Sequence, residues 1–230
     1  MQKIYFLSGT MCNQELWQFV FPKIKNYIPE YIDITSASSF DEINHLILSK
    51  ISSPAIIVGF SLGGFSALNF ARQFPEKIKK LVIIAASSKG LSENEIRLRK
   101  STIDFLETHP YKGISNTRIK QFLHSKNQQN NKLINIIKKM DVDLGKKTLI
   151  KQLKATSKRI DITKSIKNLT NPILLVSSKE DAIVSNKDIL DLNEALKYSF
   201  SVVIKNSGHM IPIEKPNELS EIINNYLNEF

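Results

Sequence analysis

Short apolar runs alternate with amphipathic stretches along most of the chain, which predicts a parallel β-sheet covered by helices on both faces. Runs such as AIIVG and KLVIIAA are rich in β-branched residues, which favours strands buried on both sides. The predicted strands cover residues 4–8, 31–35 (a weaker pattern), 55–59, 80–86, 172–178 and 200–205. The predicted helices cover residues 14–26, 41–51, 62–74 and 216–230, the last with Pro at its start.

The alternation stops between residues 89 and 168, where helical periodicities continue but no strand pattern is found. Such a stretch is too long for a loop. We therefore predict an α/β architecture with a mainly parallel sheet, in which residues 1–88 and 169–230 form the core and residues 89–168 form a helical insertion that covers one edge of the sheet as a cap. The sequence has no internal repeat and no low-complexity linker, so we interpret the cap as an insertion rather than an independent domain.

Composition places the chain among ordinary globular proteins, since 42% of its 230 residues are hydrophobic and 23% are charged. The single cysteine, Cys12, excludes an intrachain disulfide and indicates a reducing compartment. No apolar run reaches the roughly 18 residues of a membrane span, and the first residues do not resemble a signal peptide. We expect a cytoplasmic protein without a membrane partner.

The positive charge of the chain is concentrated in the predicted cap. Residues 89–168 contain 19 Lys and Arg against seven Asp and Glu, whereas the rest of the chain has a net charge of −2. One interpretation is a surface that faces an anionic partner, and the other is a solvated helical surface rich in lysine. Because the segment lacks interleaved aromatic residues and any recognition motif, we do not expect it to bind nucleic acid.

The strongest chemical motif is Gly59-Phe60-Ser61-Leu62-Gly63, which follows a predicted strand and begins a predicted helix. In this setting G-x-S-x-G forms a sharp turn that exposes the serine hydroxyl, and the flanking glycines prevent steric clashes. Ser61 is therefore the candidate nucleophile. The alternative is a glycine-rich turn in which the serine is incidental.

A serine nucleophile requires a base, and a histidine base requires a carboxylate that orients it. His209 directly follows the last predicted strand, so it should lie at the same edge of the sheet as Ser61. The other histidines lie in a predicted helix or in the cap: His45, His109 and His124. Asp181 follows the fifth predicted strand and is the favoured acid, with Glu180 as the alternative.

Two backbone N–H groups should bind the oxyanion that forms when the serine attacks a carbonyl. We assign one to Leu62 and the other to Thr10, in the loop after the first strand, with Met11 as the alternative. A plain tight turn at Gly9 is the other interpretation of that loop. We expect neither a metal nor an organic cofactor, because the sequence has no clustered Cys and His ligands. Cys12 fits a buried small hydrophobic residue better than a second nucleophile.

With these residues the chain resembles the α/β-hydrolase superfamily, and within it the small carboxylesterases typified by pimeloyl-acyl-carrier-protein methyl ester esterase. The resemblance is carried by LSGTMCNQELW, VGFSLGGFSALNFARQFPEKIKKLVIIAAS, NPILLVSSKEDAIVS and NSGHMIPIEKPNEL. It implies a Ser61–Asp181–His209 triad and hydrolysis of a small ester, with an acidic acyl carrier protein as a partner for the basic cap. Many relatives have His-Gly where this chain has Ser8-Gly9, so the chain departs from the family's pattern in the loop of the second oxyanion donor.

Two other functions use the same fold. A lyase or thioesterase would retain the triad, and the lyase would direct cap arginines at an anionic substrate. The arginines available for this are Arg97, Arg99, Arg118 and Arg159. A non-catalytic binding protein would have no need of all three triad residues.

Overall fold

The computed structural model describes residues 1–52 and 54–229, and its centre is a six-stranded sheet in which every neighbouring pair is parallel. The strands are β1 (Gln2–Leu7), β2 (Tyr27–Tyr31), β3 (Ala55–Phe60), β4 (Ile78–Ile84), β5 (Ile173–Ser178) and β6 (Ser199–Ile204). Their order across the sheet is β2-β1-β3-β4-β5-β6. The predicted α/β-hydrolase architecture, with six strands, is confirmed.

Nine α-helices connect and cover these strands within the described residues. They are α1 (Phe40–Lys50), α2 (Leu62–Gln73), α3 (Glu93–Thr108), α4 (Asn116–Phe122), α5 (Asn131–Thr156), α6 (Thr163–Ile166), α7 (Asn186–Ala195), α8 (Ile211–Glu214) and α9 (Pro216–Glu229). None of the helices in this part of the chain combines the length and apolar character needed to cross a bilayer.

The central strands of the sheet are buried on both sides, as the continuous apolar runs predict. In β1, Ile4 and Phe6 belong to one hydrophobic cluster, and Tyr5 and Leu7 belong to the other. Every residue of β3 is buried as well. Successive side chains of a strand point to opposite faces, so a strand with helices on both sides has no polar face.

Two predicted elements near the N-terminus were wrong. The second strand lies at residues 27–31 rather than 31–35, where Ile32 and Ile34 produced the apolar signal. These two side chains are buried in a core cluster just after the strand ends, while β2 itself is a half-exposed edge strand that pairs only with β1. The helix predicted over residues 14–26 is instead two short 3₁₀ turns, Gln14–Trp17 and Phe21–Lys23, and Pro22 is the second residue of the latter.

Residues 89–168, called the cap segment below, lie between β4 and β5 and contain α3 to α6 without a strand. The longest of these helices, α5, is interrupted at Gly145, whose backbone is not helical (φ 67°). Several helices begin with a serine or asparagine cap, and Ser92 and Glu95 form a complete capping box at the start of α3. These caps explain why polar sequence in this region forms regular helices.

The strand order sets the directions in which the chain leaves β1 and β3. The chain leaves β1 toward one edge of the sheet and then returns to place β3 on the other side of β1. The loops after β1 and β3 therefore diverge and leave a crevice at the carboxyl ends of these strands, which is where open α/β sheets bind ligands. Thr10 lies in the first loop and Ser61 in the second.

Candidate active site

Ser61 lies at the tip of the turn between β3 and α2, in a left-handed backbone conformation with φ 52° and ψ −113°. A non-glycine residue in such a conformation costs on the order of 1–3 kcal/mol, which the surroundings must offset. The Ser61 N–H donates to the Ile84 carbonyl at 2.9 Å, so β4 stabilises the turn.

Steric constraints require glycine at two positions near Ser61. A Cβ on Gly59 would lie 2.4 Å from the Gly63 carbonyl oxygen, and one on Gly63 would lie 2.4 Å from the Leu7 carbonyl oxygen. Both distances are far below van der Waals contact, so neither position accepts a side chain. The helix thus begins directly against the ends of the strands, and its first free N–H groups lie next to the serine.

His209 follows β6 and brings its imidazole to the serine. Its Nε2 lies 3.1 Å from Ser61 Oγ, within hydrogen-bond distance. Only 5% of the His209 side chain is exposed, and the rings of Phe60 and Phe122 lie 5.0 and 6.1 Å from it. Aromatic side chains from both the core and the cap segment therefore surround the largely buried imidazole.

Asp181 lies on the other side of the imidazole, with Oδ2 2.7 Å from His209 Nδ1. Its other oxygen, Oδ1, accepts the backbone N–H groups of Ile183 and Val184 at 2.7 and 3.0 Å. The side chain is only 1% exposed, so protein groups hold both oxygens. Glu180, the alternative acid, is exposed to solvent instead. The structure therefore brings Asp181 to His209.

None of the remaining histidines is hydrogen-bonded to Ser61 in the described residues. His45 is exposed on α1, and His109 stacks on Phe105 at the end of α3, with ring centroids 4.2 Å apart. The Nδ1 of His124 accepts the N–H of Lys126 within the cap segment.

The proposed oxyanion donors lie on the two sides of the crevice. Leu62 is the first residue of α2, and the first backbone bond of that helix is Phe65 N–H to Ser61 O, so the Leu62 N–H precedes the helical ladder. On the other side Gly9 packs tightly, since a Cβ there would lie 3.1 Å from Ser61 Cβ. The loop with Thr10 therefore touches the serine turn. The Met11 N–H, the alternative donor, is bonded to Gln152 Oε1 at 2.8 Å.

Two side chains near the site were not identified from the sequence. Gln152, on α5, contacts the Met11 amide, and Glu214, on α8, lies five residues after His209. Glu214 Oε1 accepts the Gly208 N–H at 2.8 Å, while Oε2 accepts the His124 N–H and the Asn127 amide, both at 2.8 Å. A carboxylate next to the histidine loop is visible in the sequence, but its partners in the cap segment are not.

The four arginines of the cap segment differ in their partners and in whether they pair with a carboxylate. Arg159 donates to the carbonyls of Lys89 and Ser87 and stacks on Phe65. Burial together with the charge of Arg99 lowers the pKa of Arg159 to about 10.

Burial also lowers the pKa of Arg99, which donates to Thr156, and that of Arg118. None of these three forms an ion pair with a carboxylate within 4.0 Å in the described part of the chain, whereas Arg97 pairs with Glu93.

Among residues 1–52 and 54–229, no group of three or more His, Cys, Asp and Glu side chains is arranged to hold a metal ion. The polar groups gathered at the crevice are instead a hydroxyl, an imidazole, a carboxylate and backbone N–H donors. Such a set can activate an oxygen nucleophile and stabilise a negative charge opposite it.

Comparison with known sequences matches residues 22–216 to the alpha/beta hydrolase fold family. The chain is 26% identical to the pimeloyl-[acyl-carrier protein] methyl ester esterase of Wigglesworthia glossinidia brevipalpis, over 99% of this chain and 94% of that protein. It is 25% identical to the enzyme of the same name from Hamiltonella defensa, over 94% of this chain and 89% of that protein.

Solved structures with low sequence identity share the fold. A thermophilic esterase from Thermogutta terrifontis superposes with a TM-score of 0.85 at 18% identity, covering 100% of this chain and 90% of its own. The enol-lactonase from Burkholderia xenovorans LB400 superposes with a TM-score of 0.87 at 13% identity, covering 99% of this chain and 92% of its own.

Proposed function

The chain belongs to the α/β-hydrolase fold family and is a carboxylic ester hydrolase, and on that premise we propose that it acts through a Ser61–His209–Asp181 triad. The observation that carries the proposal is the continuous hydrogen-bonded chain from Ser61 Oγ through both nitrogens of His209 to Asp181 Oδ2. This chain of hydrogen bonds supports the roles of Ser61 as nucleophile, His209 as base and Asp181 as orienting acid.

In the first half of the reaction Ser61 Oγ attacks the ester carbonyl carbon while His209 Nε2 takes the serine proton. Asp181 accepts a hydrogen bond from His209 Nδ1, which keeps Nε2 free to act as the base and stabilises the imidazolium that forms. The carbonyl electrons move onto oxygen, and the backbone N–H groups of Leu62 and Thr10 bind that oxyanion.

Collapse of the tetrahedral intermediate breaks the bond to the alcohol, which leaves with the proton from His209. The acyl group remains on Ser61 as an ester. Water then enters, gives a proton to His209 and attacks the acyl carbon, and the second collapse returns the proton to Ser61 and releases the acid. The chemistry is complete with these side chains and water, and it needs no cofactor.

For the substrate we propose the methyl ester of an acyl chain carried by an acidic carrier protein. The two esterase relatives are named for a pimeloyl-[acyl-carrier protein] methyl ester, and they align along nearly the whole chain. The cap segment, with 19 basic and seven acidic residues, provides charge complementary to an acidic carrier.

One part of the cap segment suits such docking. Lys120 and Lys138, from α4 and α5, line a groove of about 250 Å³ together with Asn116, Gln128 and Asn131. Neither lysine takes part in an ion pair within the described residues. By contrast, Lys139 pairs with Glu15 and Asp143, and Lys146 donates to the His109 carbonyl.

The test of the proposed function is a series of p-nitrophenyl esters of increasing chain length, assayed beside an acyl-carrier-protein methyl ester. We expect hydrolysis of the short esters and preferred hydrolysis, by kcat/KM, of the carrier-bound ester. Failure on every ester would contradict the proposed reaction. Equal kcat/KM for the free and carrier-bound forms of one acyl ester would contradict only the carrier.

A lyase on the same triad is the second candidate, because Arg99, Arg118 and Arg159 bring positive charge to the cap segment without ion-paired carboxylates in the described residues. Such charge suits a substrate with several anionic groups. The ester series separates the two functions, since a lyase would hydrolyse simple esters slowly or not at all.

A further inference from the structure

The loop after β1 forms a turn with an unfavourable residue at its third position. The Cys12 N–H donates to the Gly9 carbonyl at 3.1 Å, which closes a four-residue turn over Thr10 and Met11. Met11 has φ 53°, whereas Thr10 is not among the residues with positive φ. This is the pattern of a type II turn, whose third position normally holds glycine because other side chains are strained there.

The peptide between Thr10 and Met11 has a defined orientation. Its carbonyl oxygen lies 3.5 Å from the buried Cys12 thiol, and its N–H donates to Gln152 Oε1 at 2.8 Å. A type I turn would rotate this peptide by about half a turn and exchange the two directions. The Thr10 carbonyl would then point toward the cap segment, and its dipole would oppose a negative charge in the crevice.

Gln152 is the only side chain from the cap segment that the described residues show bonded to this turn. It is 2% exposed, and its Nε2 has no hydrogen-bond partner in that part of the chain. A buried, half-satisfied carboxamide is unfavourable for stability. The single hydrogen bond of the Gln152 side chain, to the Met11 N–H, therefore indicates a role at the turn.

We propose that Gln152 is a positioning residue that holds the oxyanion loop in its active form. By accepting the Met11 N–H it stabilises the left-handed Met11 and keeps the Thr10 carbonyl turned away from the crevice, so that only N–H groups face the oxyanion. The cap segment thereby controls transition-state stabilisation as well as covering the site. This inference rests on the proposed function, because it assumes that an oxyanion forms at Ser61.

The test is a double-mutant cycle with Gln152→Met, which removes the acceptor at nearly constant volume, and Met11→Gly, which relieves the left-handed strain. Gln152→Met should lower kcat for a p-nitrophenyl ester by about 10- to 100-fold with little change in KM, since the loss of a whole oxyanion donor costs about 10²–10³. In the Met11→Gly background the same change should cost at least several-fold less. Gln129→Leu, an exposed position of the cap segment, is the control and should leave kcat unchanged.

One further variant and the wild type separate the possible failures. Gln152→Leu removes the acceptor with a second neutral side chain and should lower kcat as Gln152→Met does, which tests the idea if the methionine variant does not fold. Equal losses in both Met11 backgrounds, or an unchanged kcat for both Gln152→Met and Gln152→Leu, would overturn the inference alone. A wild-type protein that neither hydrolyses esters nor reacts with a fluorophosphonate at Ser61 would overturn the proposed function and this inference with it.

Discussion

The Asp181 carboxylate lies 2.7 Å from His209 Nδ1 and is held from behind by two backbone N–H groups, those of Ile183 and Val184. Glu180, its neighbour, points into solvent. Because of this difference, separate substitutions of Asp181 and Glu180 test which of the two adjacent acids orients His209.

Asp181→Asn should lower kcat by on the order of 10³- to 10⁴-fold, because an amide cannot stabilise the imidazolium and favours the wrong tautomer. Glu180→Gln should stay within about twofold of wild type, as surface changes usually do. Steady-state kinetics on one p-nitrophenyl ester gives both values. The reverse ranking would identify Glu180 as the acid.

Glu214 joins the histidine loop to the cap segment, through Gly208 on one side and His124 with Asn127 on the other. There is no room for a side chain at Gly208, where a Cβ would lie 2.6 Å from the His124 nitrogen. Glu214→Gln replaces an oxygen acceptor by an NH₂ group that faces N–H donors, which should cost about 1–3 kcal/mol of unfolding free energy and lower kcat.

Urea denaturation and kinetics would measure these two effects. Glu221→Gln, at an exposed position of α9, is the control and should change neither. If Glu214→Gln matched that control in both measurements, the bridge would have no energetic role.

Cys12 should be inert in the folded protein. It is 5% exposed, and burial raises the pKa of its thiol from 9.0 to about 12, so the reactive thiolate is scarce at neutral pH. Above about pH 9 the unfolded chain would lose this proton before the folded one, so the thiol should lower stability as pH rises from there toward about 12.

A chromogenic thiol reagent at pH 8 should therefore react only after denaturant is added, and then once per chain, as there is a single cysteine. Ester hydrolysis should survive incubation of the native protein with the reagent. Rapid labelling of the native protein together with loss of activity would instead implicate Cys12 in the site.

Docking of an acidic carrier would be sensitive to charge in the groove of the cap segment. The double variant Lys120→Gln with Lys138→Gln should raise KM for a carrier-bound ester several-fold at low salt, and added salt should reduce the difference. Turnover of a small free ester should not change, because the substitutions lie outside the triad. Lys139→Gln, a lysine already paired with Glu15 and Asp143, is the matched control. If the double variant changed the kinetics of the carrier-bound and the free ester equally, the basic groove would be only a solvated surface.

The sequence indicated that the three residues of the candidate triad would meet, because parallel strands bring their carboxyl ends to one edge. Ser61, Asp181 and His209 each follow a strand, so their mutual contact depends only on the sheet. Gln152 and Met11 are 141 positions apart, and their contact depends on how a cap helix rests on the core. No spacing rule encodes that packing.

The errors in the fold have a similar origin. Ile32 and Ile34 alternate like a strand but enter the core from the segment after β2, and the true edge strand contains Pro29 and charged Glu30. This edge strand is only partly covered, so its sequence carries a weaker apolar signal than that of a central strand. Tertiary packing, rather than local pattern, decided these positions.

The most direct test of the account is the reaction of the native protein with a fluorophosphonate, followed by mass spectrometry of its peptides. The triad predicts attack by Ser61 Oγ on phosphorus with loss of fluoride, one label per chain on Ser61, and parallel loss of ester hydrolysis. Ser61→Ala should fold with an unchanged melting temperature, take no label and have no hydrolysis above background. A label on another residue, or undiminished turnover by Ser61→Ala, would contradict the assignment of Ser61 as the nucleophile.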